Sequence, residues 1–197
     1  VAGLVVAKEI ARLVDPSLEF NAVMNDGDSV SSGTVLAEIR GSARSILISE
    51  RTSLNLLQRM CGIATLTRQY VDRIHGTPAR IVDTRKTVPG LRVLDKYAVS
   101  CGGGMNHRMG LFDGVLIKNN HIAFHSSVAE TVHEARKRLG HLTKIEVEVR
   151  DVQELHNALS AGADVILLDN FTPAETRTAL GIIDGRVPVE SSGGITL

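Results

Sequence analysis

The sequence predicts an α/β protein whose larger part is a β/α barrel, and three observations lead there. From residue 79 onward, short apolar runs alternate with helix-like segments. Such alternation argues for parallel βαβ units. No two-residue hairpin signal joins consecutive runs, and each run ends in polar residues. The strands are read at ARIVDT (79–84), GVLIK (114–118), KIEVEV (144–149), DVILLD (164–169) and VPVES (187–191), with helices near 90–101, 127–139, 151–161 and 173–183.

Before residue 79 the pattern differs. Residues 3–14 carry apolar side chains at helical spacing and end at Asp15-Pro16, a stop signal. Residues 18–24 and 34–40 read as strands around NDGDSVSSG, whose Asp, Gly and Ser suit turns. A long helical stretch over 43–75 follows, with Ser42 as its cap and a break expected near Cys61-Gly62. The domain boundary is placed at residue 50, giving 1–50 and 51–197.

Composition narrows the function. The chain has 197 residues, 43% hydrophobic and 22% charged, ordinary values for a globular protein with a core. Arg, Lys, Asp or Glu interrupt every apolar run, so no membrane helix is expected. A net charge of zero and 3% aromatics give no general attraction to nucleic acid and no stacking platform. Two cysteines, Cys61 and Cys101, form no framework, which suits a reducing cytoplasm. With no initiator Met, the chain is expected to begin inside a longer protein.

The charges are uneven. Residues 85–118 hold six cations (Arg85, Lys86, Arg92, Lys96, Arg108, Lys118) against Asp95 and Asp113. Residues 119–197 reverse the sign, with eleven acids against seven bases. A basic block followed by an acidic one suits an anionic ligand with a metal or hydroxyl partner.

Chemistry in a β/α barrel gathers at the carboxyl ends of the strands. Here those ends carry Asp83-Thr84-Arg85-Lys86, Lys118, Asp169-Asn170 and Glu190-Ser191-Ser192-Gly193-Gly194. Within 144–149 the side-chain period of two sets Ile145, Val147 and Val149 on one face and Glu146 and Glu148 on the other. The apolar set should meet the helices and the carboxylates the barrel interior. A carboxylate buried there costs several kcal/mol without a counter-group. A cation, a hydroxyl-rich ligand or an inward ion pair to Lys118 or Arg85 would answer it. Arg85-Lys86 and His107-Arg108 offer a planar fork and mobile charges for carboxylate or phosphate. The three glycines 102–104 allow close backbone approach, and Ser192-Gly193-Gly194 can present N–H groups to a phosphate. His75, His125, His133, His141 and His156 lack metal-ligand spacing, His121 in KNNH sits beside the rim and is open to either reading, and no P-loop is present.

Taken together, SERTSLNLLQRMCGIATLT (49–67), DTRKTVPGLRVLDKYAVSCGGGMNHRMGLFDGVLIKNNHI (83–122), EVEV (146–149), ILLDN (166–170) and VESSGGI (189–195) resemble the quinolinate phosphoribosyltransferase family over essentially the whole chain. The resemblance implies an open β/α barrel preceded by part of an α/β sandwich. It implies transfer of phosphoribosyl from phosphoribosyl pyrophosphate to quinolinate with decarboxylation, giving nicotinate mononucleotide in NAD synthesis, with Mg²⁺ as cofactor. It also implies a homodimer or higher homo-oligomer, with Arg51 reaching the partner's quinolinate. Thr84, Arg85 and Lys86 resemble the substrate-binding triplet, His107 and Arg108 the pair beside the dicarboxylate, and Lys118 a further anion ligand. Glu148 and Asp169 resemble the acids that hold ribose hydroxyls and Mg²⁺, and Ser192, Gly193 and Gly194 part of the phosphate cradle. Lys86, Lys118, Glu148 and Asp169 are the expected catalytic groups.

Two departures stand out. Asn119 occupies a position where the family usually carries Asp. Family members also extend beyond both ends, so part of the sandwich and of the phosphate cradle is expected to be missing, which argues against activity of this chain by itself. Two other readings remain open. One is a related phosphoribosyltransferase for another aromatic acid, which would leave part of the cationic cluster unmatched. The other is a biotinyl or lipoyl carrier, suggested by DGDSVSSGTVLAEI but lacking any Lys between Lys8 and Lys86.

Overall fold

A computed structural model describes residues 1–197, which form two compact units, 1–109 (with Leu197) and 110–196. The expected boundary at residue 50 lies within the first unit, inside its longest helix.

The first unit opens with helix α1 (Leu4–Val14), closed at Asp15 as the Asp-Pro signal requires. Strands β1 (Glu19–Ala22) and β2 (Ala37–Arg40) pair antiparallel, Glu19 opposite Arg40 and Ala22 opposite Ala37. Helix α2 (Ala43–Arg73) starts at Ser42, whose side chain accepts the Ser45 N–H at 3.4 Å, and helix α3 (Arg92–Cys101) follows.

The expected break at Cys61-Gly62 does not occur: α2 runs through it for 31 residues. Its buried face, Ser49, Ser53, Met60, Ala64 and Thr67, continues across Gly62 at helical spacing. A mid-helix glycine costs about 1 kcal/mol. Burial of Met60 and Ala64 with Ala2 and Ala98 on both sides of the break offsets that cost. The Cys61 thiol also joins the helix to the chain start, accepting the Ala2 N–H at 3.3 Å and donating to the Ala2 carbonyl at 3.4 Å.

The strand expected over 79–84 is reduced to a bridge between Val82 and Met105. Ile81 O accepts from Met105 N at 2.8 Å and Asp83 N donates to Met105 O at 3.1 Å. The facing segment offers one residue in extended register, so the ladder cannot propagate. The triple glycine serves packing. A Cβ on Gly102 would lie 2.6 Å from the Ala64 carbonyl oxygen and 2.6 Å from Thr67 Cβ, so its bareness lets the end of α3 press onto α2.

The second unit holds the four remaining predicted strands as one open parallel sheet in the order β3 (Val115–Ile117), β4 (Ile145–Val149), β5 (Val165–Asp169), β6 (Val189–Ser192). Between them run α4 (Asn119–Ile122), α5 (Val128–Arg138), α6 (Val152–Ser160) and α7 (Pro173–Ile183). Ser127, Asp151 and Thr172 cap α5, α6 and α7, each accepting the N–H three residues on.

One face of this sheet is the core. Ile145, Val147, Val149, Ile166 and Leu168, all fully buried, pack with Val128 and Val132 of α5, Leu155 and Ala158 of α6, and Ala179 and Ile183 of α7. The face alternation expected for β4 is therefore realised. Leu168→Ala should lower unfolding free energy by about 2–5 kcal/mol through the cavity it leaves. Phe124→Ala, at a side chain 87% exposed, should stay within about 0.5 kcal/mol. Urea unfolding of both variants checks the contrast.

Candidate active site

In the first unit the segments 81–85 and 105–109 run side by side, which brings the two cationic motifs together. Their contacts are the Met105 bridge and a hydrogen bond of 2.8 Å from His107 N to Asp83 Oδ1. Thr84 shapes the first loop: its hydroxyl accepts the Lys86 N–H at 3.0 Å, and Arg85 O accepts from Thr87 N at 2.9 Å. Arg85 is half-buried, and its buried Nε meets no hydrogen-bond partner in the protein. Lys86 is exposed.

His107 and Arg108 are half-buried. Nδ1 of His107 accepts the Arg108 N–H at 2.8 Å, which assigns the proton of the neutral ring to Nε2 and makes that edge a donor.

The first turns of α3 hold both loops. Arg92 donates to Thr87 Oγ1 at 3.1 Å, Met109 O at 3.3 Å and Arg85 O at 3.4 Å. Asp95 accepts a bidentate pair from Arg59 of α2, at 2.8 and 2.7 Å, and the Val88 N–H at 3.3 Å. The Arg59 bond holds the Asp95 carboxyl below the usual carboxylate range, with burial opposing. Lys96, 1% exposed, donates to Asp83 Oδ1 at 2.5 Å and His107 O at 2.9 Å. Arg51 stands exposed on α2, about 12 Å along the axis from Arg59 at 1.5 Å per residue.

The second unit concentrates acids on the sheet face opposite the helices. In register, Leu116 lies beside Glu146, Glu148 beside Leu167, Leu167 beside Glu190, and Asp169 beside Ser192. Glu146 and Glu148 are 5% and 9% exposed. Lys118, just past β3, forms an ion pair with Glu148, the inward pairing weighed from sequence. The Lys118 side chain is 46% exposed. His121 Nδ1 accepts the Lys118 N–H at 2.9 Å, which turns the chain from β3 into α4. Asn119 accepts the Asn120 N–H on its side-chain oxygen at 2.7 Å.

At the tips of β5 and β6, Asn170 N donates to Ser192 O at 2.8 Å, which joins Asp169 and the Ser192-Gly193-Gly194 turn. Gly193 has φ +90°, and a Cβ there would lie 2.1 Å from Asn170 Oδ1, so only glycine fits. Gly193 and Gly194, with Arg177, Thr176, Phe171 and Leu180, line a cavity of about 450 Å³.

The expected site residues thus fall into groups. Thr84, Arg85 and Lys86 sit with His107 and Arg108, Lys118 with Glu148, and Asp169 with Ser192, Gly193 and Gly194. Arg51 stands apart on its helix. Sequence reasoning missed Asp83, Arg92, Asp95 and Lys96 as supporting groups, because the charge count credited every cation of the basic block to a ligand. The legible signal was Asp83, an acid directly ahead of the cationic triplet. Glu190 also shares the carboxylate face and was noted only as a strand ending.

The second unit is an open parallel α/β sheet with acids on one face, and the first carries a pair of cationic loops. Residues 1–61 match the N-terminal domain and 63–197 the C-terminal domain of quinolinate phosphoribosyl transferase. The chain belongs to the quinolinate phosphoribosyltransferase family. It is 46% identical to the probable nicotinate-nucleotide pyrophosphorylase [carboxylating] of Bacillus subtilis, covering 100% of this chain and 68% of that protein. It is 42% identical to a tobacco (Nicotiana tabacum) quinolinate phosphoribosyltransferase [decarboxylating], covering 100% of this chain and 61% of that one. The crystal structure of NadC from Streptococcus pyogenes superposes with a TM-score of 0.94 at 41% identity, covering 99% of this chain and 69% of that one.

The Asp95–Arg59 pair sets a pH dependence. Because the folded carboxyl titrates below its unfolded value of about 3.9, the pair's stabilisation is present above that value. It is lost as pH falls through the folded pKa. Asp95→Asn should therefore be less stable than the native chain at pH near 6, with the gap narrowing progressively as pH falls below about 4 in urea unfolding. A gap independent of pH would remove the ion pair as its cause.

Proposed function

We propose that the chain joins quinolinate to phosphoribosyl pyrophosphate, releasing pyrophosphate and carbon dioxide and giving nicotinate mononucleotide for NAD synthesis. The observation that carries this reading is the buried Arg85 Nε, a guanidinium nitrogen with no protein acceptor beside a second cationic pair. A buried donor left unsatisfied costs about 1–3 kcal/mol or more, and an anionic substrate removes that cost. Quinolinate, with two carboxylates, suits Arg85, Arg108 and the Nε2–H edge of His107 by charge-assisted pairing. A single carboxylate would match only part of that set.

The pyridine nitrogen forms its bond to the anomeric carbon as the bond to pyrophosphate breaks. Positive charge gathers on the sugar, and Glu148 and Asp169 stabilise it and hold the ribose hydroxyls. Lys86 and Lys118 neutralise the departing phosphates. The ring carboxylate next to nitrogen then leaves as carbon dioxide, and the electron pair it leaves on carbon takes a proton. The protein supplies positioning and charge, without a covalent intermediate. Ser192, Gly193 and Gly194 form part of the cradle for the ribose phosphate, and Arg51 serves the partner's quinolinate in a homodimer or larger homo-oligomer.

Glu148 and Asp169 fit Mg²⁺ by chemistry, since both offer the hard oxygen donors that ion takes. Glu148 already meets Lys118, which leaves Asp169 the better placed of the two to hold the metal directly or through water. When bound, Mg²⁺ would offset the charge of the pyrophosphate group. We further read β1 and β2 with the helices around them as belonging to an α/β sandwich, and the parallel sheet β3 to β6 as belonging to an open β/α barrel. A cytoplasmic location is in keeping with two free cysteines and with the absence of any helix long and apolar enough to cross a membrane.

The direct test is release of labelled carbon dioxide from carboxyl-labelled quinolinate, dependent on phosphoribosyl pyrophosphate. No release would sink the assignment of activity to this chain and leave its family membership standing. Arg85→Ala should lower kcat/KM for quinolinate by roughly 2–4 kcal/mol, about 30- to 700-fold. Glu148→Gln should lower kcat more than it raises the quinolinate KM, and steady-state kinetics with each substrate varied in turn separates the two patterns.

A further inference from the structure

We infer that Lys96, with Asp83, is a positioning residue that sets the separation of the two cationic loops to the dimensions of a dicarboxylate. The inference rests on the quinolinate reading above. Lys96 is among the largest side chains fully buried in the chain, at 1% exposure. An ion in that setting costs several kcal/mol unless its hydrogen bonds are complete. Its ammonium donates to Asp83 Oδ1 at 2.5 Å and to His107 O at 2.9 Å.

Asp83, whose side chain is 7% exposed, completes the arrangement. Its Oδ1 also accepts the His107 N–H at 2.8 Å. With the Asn106 amide turned so that its nitrogen faces acceptors, that nitrogen donates to Asp83 Oδ2 at 2.9 Å and Lys96 O at 2.9 Å. Both peptide poles of His107 are therefore gripped by one ion pair, the N–H by the carboxylate and the C=O by the ammonium. Asp83 immediately precedes Thr84-Arg85-Lys86. The same pair thus fixes the origin of the first loop and the seat of the imidazole in the second. An apolar pair could fill the space, but it offers neither an acceptor for the His107 N–H nor a donor for the His107 C=O.

That distinction makes positioning separable from folding. Replacing both members of a buried ion pair by apolar residues is often neutral for stability, whereas removing one member is costly. Lys96→Met/Asp83→Leu should keep a cooperative urea transition close to the native one. Its KM for quinolinate should rise at least tenfold, and by clearly more than its KM for phosphoribosyl pyrophosphate. Lys96→Met alone should show the same bias with weaker folding. Equal shifts in both KM values, or none, in a folded double variant would overturn the inference.

A measurement on the native protein stands beside this. The His107 amide should be strongly protected from hydrogen exchange before any ligand is added, and exchange at the rate of a free peptide would also overturn the inference. Native protein that shows this protection yet makes no nicotinate mononucleotide would count against the function and leave the His107 anchor standing.

Discussion

The first unit depends on a single constraint: an ammonium enclosed in protein needs acceptors that cannot move away. Lys96 meets it with Asp83 and the His107 carbonyl, and the geometry of two loops follows. Arg92 and Asp95 extend the same logic along α3. Arg92 reaches the carbonyls of Arg85 and Met109, and Asp95 the amide of Val88 and the guanidinium of Arg59. Charges that composition would assign to a ligand are spent on the backbone. These bonds hold the backbone of the two loops that carry Arg85, Lys86, His107 and Arg108.

The second unit solves a different problem. A parallel sheet whose strands rise between helices has one face committed to the core, and its strand period of two then sends every alternate residue the other way. Ile145, Val147 and Val149 are fully buried against α5 and α6. Glu146 and Glu148 are nearly as buried on the opposite face, which makes that face polar and enclosed. Glu148 answers its burial with Lys118, one strand over. Backbone geometry does the rest at the tips, where the left-handed Asn170 (φ 59°) and Gly193 (φ 90°) turn two strand ends toward each other.

Much of this was legible in the residues. The helix stops at Asp15, the cap at Ser42, the four strands from 115 to 192 and the alternation of IEVEV are local signals, and the structure follows them. What escaped was nonlocal. Gly62 reads as a break until Ala2 and Ala98 are known to pack beside it on Met60 and Ala64. ARIVDT reads as a strand until its partner proves to be one residue long. The glycine run reads as ligand-facing until Thr67 is found against Gly102. The cationic motifs were found by their pattern, but nothing in a one-dimensional sequence separates Lys96, sealed against Asp83, from Lys86 in solvent.

The uninterrupted α2 has a mechanical consequence. A rod of 31 residues, about 46 Å long at 1.5 Å each, is set in azimuth by the packing of its buried face. The two-pronged Arg59–Asp95 link is directional and keys the rod against α3 like a pin in a shaft. Arg51, two turns earlier, inherits that setting: its azimuth on the helix is locked by contacts it does not make.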